Sequence, residues 1–251
     1  MTLRDVRPGD LAESLFPRYV DDLARRFDDP ALDRSDVVRD ALEELYRASG
    51  RDGSLGGQVA RASLDPRNAT LEAEYYKEID LARWAGVKPL LWFWQMFDHS
   101  PFGRNVLLGT RLRAMLAARV FRRCGRNVRI FHDCEFSFGY NLTVGDDVTI
   151  HRNVLIDDRG EVVIGNNVSI SDYANIYSHA HAVEDINDVS LGRTVIGDNT
   201  RITYHATVFS DVKVGRDAMV GSHSVANRDV PDFEIHGGVP AKRIAVKKAH
   251  G

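Results

Sequence analysis

Of its 251 residues only two are cysteine, Cys124 and Cys134, too few for a disulfide framework. Both fall at apolar positions of the repeat described below, which predicts buried thiols in a reducing compartment rather than a bridge. No apolar run reaches the roughly 20 residues that a membrane-spanning helix needs. No charged-then-apolar leader opens the sequence, so the chain reads as cytoplasmic, with the inner face of the membrane still within its reach. An excess of positive charge is also missing. The formal charge is −3, which argues against general nucleic-acid binding.

What the chain has instead is a six-residue repeat. From Phe138 it divides into Phe-Gly-Tyr-Asn-Leu-Thr, Val-Gly-Asp-Asp-Val-Thr and Ile-His-Arg-Asn-Val-Leu. It resumes as Ile-Gly-Asn-Asn-Val-Ser from Ile164, and Ile196, Ile202, Val208, Val214 and Val220 again lie six apart. Val148, Val168, Ala174, Ala206, Val212 and Ala218 stand four places after an opening aliphatic residue. Neither a helix, with its 3.6-residue stripe, nor an alternating strand gives this period. It predicts a left-handed parallel β-helix, in which three hexads make a coil and stacked coils bury an aliphatic column. Gly145, Gly165, Gly197, Gly215 and Gly221 follow opening aliphatics, and corners that need conformations other residues resist account for them.

The repeat fills residues 124–251 together with a C-terminal tail, and residues 1–123 form an α-helical N-terminal region. Leu11, Leu15, Tyr19, Leu23 and Phe27 mark one amphipathic helix, and Val37, Val38, Leu42 and Leu45 a second. The stretch 48–68 reads as a loop and 70–84 as a third helix. Residues 88–123 hold an aromatic run, Trp92-Phe-Trp-Gln-Met-Phe97, a break at Ser100-Pro101, and then arginines without an acid. Two compatible readings follow: a helical cap on the open end of the β-helix, or a peripheral membrane contact through residues 89–123.

A β-helix turns its repeat residues inward, so chemistry belongs on corners and on loops thrown out from them. The longer interruption, 182–194, directly follows Tyr177-Ser-His-Ala-His181. Two histidines beside the one long insertion mark a candidate corner, against the plainer reading of polar residues at a turn. The last hexads give way to Asn227-Arg-Asp-Val-Pro and Gly238-Val-Pro-Ala-Lys, which turn the chain back and bring Arg228, Lys242 and Arg243 near one another. His205 and His223 lie one coil apart and should stack. A zinc site would need a third histidine at suitable spacing, so no metal is expected.

Val225-Ala-Asn-Arg-Asp-Val-Pro with Gly238-Val-Pro-Ala-Lys resembles the C-terminal signature of the left-handed β-helix acyltransferases, the group of maltose and galactoside O-acetyltransferases. Trp92 through Phe97, the arginine stretch and Ile170-Ser171 resemble more narrowly the colanic-acid-type exopolysaccharide acetyltransferases. Residues 1–87 resemble nothing named. The resemblance implies a homotrimer with acetyl-CoA in a groove between subunits, a sugar or polysaccharide-precursor acceptor, and a histidine general base, His181 or else His179. It implies a pantetheine path along Gly221, Ser222 and Asn227, with Tyr204 and His205 beside the thioester. Arg228, Lys242 and Arg243 would meet the phosphates, guanidinium bidentately and ammonium as a point charge. His151, Asn153, Asp157 and Asp158 fall where the acceptor binds, His151 standing where that group has an amide. Tyr204 is bulkier than the small residues of that group, and either narrows the thioester path, selects a different acyl group or marks lost activity. A β-helix scaffold without activity, and more distantly a γ-type carbonic anhydrase, are the alternatives.

Overall fold

The computed structural model describes residues 9–46 and 54–247. Among the described residues, five α-helices precede the coils: α1 (Asp10–Asp28), α2 (Arg34–Tyr46), α3 (Leu55–Leu64), α4 (Leu81–His99) and α5 (Val106–Val120). Two compact units result. One joins the described residues up to Thr70 with Pro89–Leu116, and the other joins Leu71–Lys88 with the residues from Ala117 onward.

In the helical unit, Leu23, Phe27, Val38, Leu42, Leu90, Phe93, Trp94 and Phe97 are buried, with Phe27 edge-on to Phe93 at 5.8 Å. The expected membrane contact placed these aromatic rings at headgroup depth; they form the core of this unit instead, because each carries more apolar area than the chain leaves in water. No described helix is long and apolar enough to cross a membrane. Arg113, expected to be solvated, is buried, and its Nε lies 2.8 Å from Oδ1 of Asp98. The region read as a loop holds α3, whose N-cap Ser54 accepts the Gly57 N–H. The helix read over 70–84 is a short 3-10 turn, Glu72–Tyr75, followed by α4. Asp80 sets where α4 starts, since its Oδ1 accepts the N–H groups of Ala82 and Arg83.

Three parallel sheets make the faces of the β-helix. The first stacks Arg123–Cys124, Leu142–Val144, Glu161–Ile164, Arg193–Ile196 and Lys213–Val214. The second stacks Arg129–Ile130, Thr149–Ile150, Ser169–Ile170, Arg201–Ile202 and Met219–Val220, and ends in Glu234–Gly237. The third stacks Glu135–Phe136, Leu155–Ile156, Asn175–Ile176, Thr207–Val208 and Val225–Ala226. The hexad period thus yields five full coils and the start of a sixth. Ile150, Ile170, Ile202 and Val220 stand in register on the second face, all fully buried. Val148, Ala174, Ala206 and Ala218 are equally buried, as their spacing predicts.

The glycines answer to a different constraint from the one expected. Gly145, Gly165, Gly197 and Gly215 do not adopt positive φ; Asn127, Asp147, Asn167, Asn199 and Asp217 do, at 54–59°. A Cβ on Gly145 would lie 2.7 Å from the Gly165 carbonyl, and one on Gly197 2.6 Å from the Arg216 nitrogen. These glycines are required because successive coils approach too closely for a side chain. The carboxylate or amide beside each one joins the coils: Asp146 accepts the Arg126 N–H, Asn166 that of Asp146, and Asp198 that of Asn166.

The segment Leu71–Lys88 packs on the first coils. Tyr140 accepts the Asp80 N–H at 2.9 Å and carries the Arg83 guanidinium 4.2 Å over its ring, and Trp84 meets Phe138 edge-on. Neither cysteine forms a disulfide: Cys134 is buried, its thiol donating to the His151 carbonyl at 3.0 Å, and Cys124 is half-buried, where burial pushes its thiol up to about 11.

Candidate active site

The chain leaves the third face at the same corner in every coil, and there it sets Asp157 and Asp158 in one coil and Ser178 to His181 in the next. His179 and His181 start an antiparallel hairpin, His179–His181 paired with Val189–Leu191, which is the body of the long insertion. Alternation along this strand puts both imidazoles on one side, with ring centres 5.1 Å apart.

Each imidazole has its Nδ1 engaged. That of His181 lies 2.6 Å from the Ile186 carbonyl oxygen. A carbonyl only accepts, so the proton sits on Nδ1 and the Nε2 lone pair of the exposed ring is free. Nδ1 of His179 lies 2.7 Å from Oδ2 of Asp157, a close contact that is bent away from hydrogen-bond alignment. Asp157 is itself held, its Oδ1 by the Arg159 N–H at 3.1 Å and its carbonyl by the Ser178 hydroxyl at 2.6 Å.

Asp158 is not available to an acceptor. It is fully buried, and its carboxylate accepts the Phe138 N–H at 2.8 Å and the Asn141 N–H at 3.1 Å, fastening the loop between coils. Burial pushes its carboxyl up to about 6 against those backbone hydrogen bonds. His151 and Asn153 stand at the preceding corner, between the second and third faces, and so apart from the histidines within one chain. His151 stacks on Phe131 at 5.2 Å, and burial lowers its pKa while Asp172 opposes this.

The residues predicted to meet the donor divide between the same two corners. Tyr204, His205, Gly221 and Ser222 stand with His151 and Asn153 between the second and third faces. Tyr173, His205 and His223 form a stack with 4.8 Å steps, and Tyr204 leaves this column exposed edge-on to His205. The stacking of His205 on His223 therefore holds, and no group of three metal-ligating residues occurs among the described residues. Asn227 and Arg228 stand exposed at the histidine corner, two coils further on. The Ala241 N–H donates to Val225 O, which brings the final strand Lys242–Val246 to that end. Lys242 is exposed, while Arg243 pairs with Glu234 at 3.4 Å.

Three residues beside the histidines escape sequence reasoning: Tyr76, Glu78 and Arg159. Arg159 is buried, its Nε on Glu78 and its guanidinium 4.0 Å over the Tyr76 ring. Tyr76 and Glu78 lie outside the repeat, whose period is the one signal that assigns positions, and nothing in that period marks Arg159.

No family model matches the sequence. An acetyltransferase-named protein of Saccharomyces cerevisiae is 31% identical over 116 residues, 43% of this chain and 57% of the yeast protein. A Mycobacterium tuberculosis relative named as an acetyltransferase is 30% identical over 110 residues, 41% of this chain and 37% of its own length. The chain thus spans little more than half of the first and about a third of the second. Escherichia coli galactoside O-acetyltransferase is 26% identical over 141 residues, 53% of this chain and 67% of that protein. Among solved structures, a Vibrio cholerae hexapeptide-repeat acetyltransferase in complex with acetyl-CoA gives a TM-score of 0.59 at 22% identity, covering 73% of this chain and 98% of that one. A galactoside acetyltransferase in complex with CoA gives 0.57 at 24%, covering 66% and 80%. In its repeat and its β-helix the chain is similar to these hexapeptide-repeat acetyltransferases.

Proposed function

We propose that the chain is a CoA-dependent O-acetyltransferase that moves an acetyl group from acetyl-CoA to a hydroxyl of a sugar or surface-polysaccharide precursor. The observation that carries this reading is the orientation of His181: Nδ1 donates to the Ile186 carbonyl, so Nε2 is a free base on an accessible ring. His181 Nε2 takes the proton of the acceptor hydroxyl as its oxygen attacks the thioester carbonyl. The carbon–sulfur bond then breaks, and the imidazolium returns the proton to the departing thiolate. No acyl-enzyme is needed. The Nδ1 contact favours the tautomer and orientation that leave Nε2 unprotonated.

Related proteins bind acetyl-CoA or CoA, and the exposed cations Arg228 and Lys242 suit the phosphates of such a donor. Arg243 is the poorer candidate, since Glu234 already occupies it. The donor residues stand at two corners separated by a face, so a single copy leaves the groove half-built. We therefore assign the chain a homotrimer in which one copy's histidine corner faces the next copy's Tyr204 corner. Acetyl-CoA should raise the melting temperature of the wild-type chain, and Arg228→Ala should weaken that protection. If no CoA thioester raises it at millimolar concentration, the inactive scaffold becomes the better reading.

A further inference from the structure

Arg159 is a buried cation, its side chain 6% exposed, on the loop that also carries Asp157. A guanidinium out of water must keep a carboxylate, and two are on offer: Glu78 from the segment before α4, and Asp157 two residues away. The structure gives it Glu78. Asp157 is left with one backbone N–H on Oδ1, and its Oδ2 faces His179. The loop is fastened in this arrangement from both sides: the Gly160 N–H donates to Ser178 Oγ at 2.9 Å, and Tyr76 lies under the guanidinium with its hydroxyl 2.6 Å from Glu72. Burial works against ionisation of Glu78, yet the Arg159 hydrogen bond and charge hold its carboxyl below the usual range, and the charge of His179 acts the same way.

We propose that Glu78 is a positioning residue of the histidine corner: by holding Arg159 it leaves Asp157 to His179, and through that pair it steadies the ring next to His181. This deepens the acyl-transfer reading of the corner and rests on it. With Glu78 neutral, Arg159 turns to Asp157, and His179 loses its partner. The other titratable groups facing His179 are His181, with ring centres 5.1 Å apart, and Tyr177, at 6.5 Å. Neither carries an opposite charge that could replace the carboxylate.

The test is the titration of His179 in the full chain labelled with ¹⁵N-histidine, its signal assigned by its loss in His179→Gln. It needs no substrate, so it reads the positioning even if the chain transfers nothing. E78Q should lower the His179 midpoint by about one pH unit. In an Asp157→Asn background the same substitution should move it by less than half as much, because there is no Asp157 carboxylate left to divert. A shift of half or more in that background means that the Glu78 charge acts directly, and overturns the proposal; so does the absence of any shift in the wild-type background. Should E78Q fail to fold, the pair E78Q/R159M leaves no buried cation, and there Asp157→Asn should lower the midpoint as it does in the wild-type chain. No lowering in that pair overturns the proposal equally.

Discussion

Replacing Asp158 by Asn isolates the cost of a carboxylate with no access to water. Burial pushes the Asp158 carboxyl up to about 6 from an ordinary 3.8, even though the N–H groups of Phe138 and Asn141 point at it. The folded chain therefore binds this proton more tightly than the unfolded chain does. The associated stability is fully present below pH 3.8 and is lost as pH rises through about 6. Between about pH 4.5 and pH 7 the loss amounts to about 2 kcal/mol, at about 1.4 kcal/mol per pKa unit. Asp158→Asn removes the titration. It also turns one amide N–H toward a backbone N–H, a cost of about 1–3 kcal/mol that does not depend on pH. Urea unfolding of both chains, followed by far-ultraviolet circular dichroism across this range, should show the variant less stable at low pH and the gap closing by about 2 kcal/mol as pH rises. A gap that stays constant, or widens, would refute a buried carboxyl that protonates in the folded state.

Gly145→Ala should destabilise the β-helix by about 1–3 kcal/mol, read as a lower melting temperature, because the new Cβ meets the Gly165 carbonyl at 2.7 Å. Arg113→Ala should cost about 3–5 kcal/mol in urea unfolding of the helical unit by leaving Asp98 ionised and buried, whereas R113A/D98A should recover a large part of that loss. Asp172→Asn should lower the His151 midpoint further in an NMR titration, since Asp172 is the group that opposes the effect of burial there.

The coils were legible in the sequence because each hexad repeats one physical demand, a buried aliphatic opening residue such as Ile170 or Ile202, and a repeated demand leaves a period. The histidine corner was legible as an interruption of that period. Helix α3 was not, because Gly56 and Gly57 in its first turn and Pro66 just beyond its end read as loop, while the Ser54 cap is a single short-range signal. The glycine column was legible as a pattern but not in its cause, since close approach between coils is a tertiary distance. The buried state of Asp158 and the pairing of Arg159 with Glu78 join residues 17 to 81 positions apart, and spacing carries no trace of such contacts. The division of the residues predicted to meet the donor between two corners emerges only once each hexad has been assigned to a face.

The most direct test of acyl transfer at this corner compares His181→Ala with the wild-type chain. CoA release from acetyl-CoA would be followed with a panel of sugar acceptors, and CoA affinity would be measured by titration calorimetry on the same samples. Loss of the base should slow transfer by about 10²–10⁴-fold while CoA affinity stays within a few-fold. Turnover equal to the wild type in the variant would contradict the role assigned to His181.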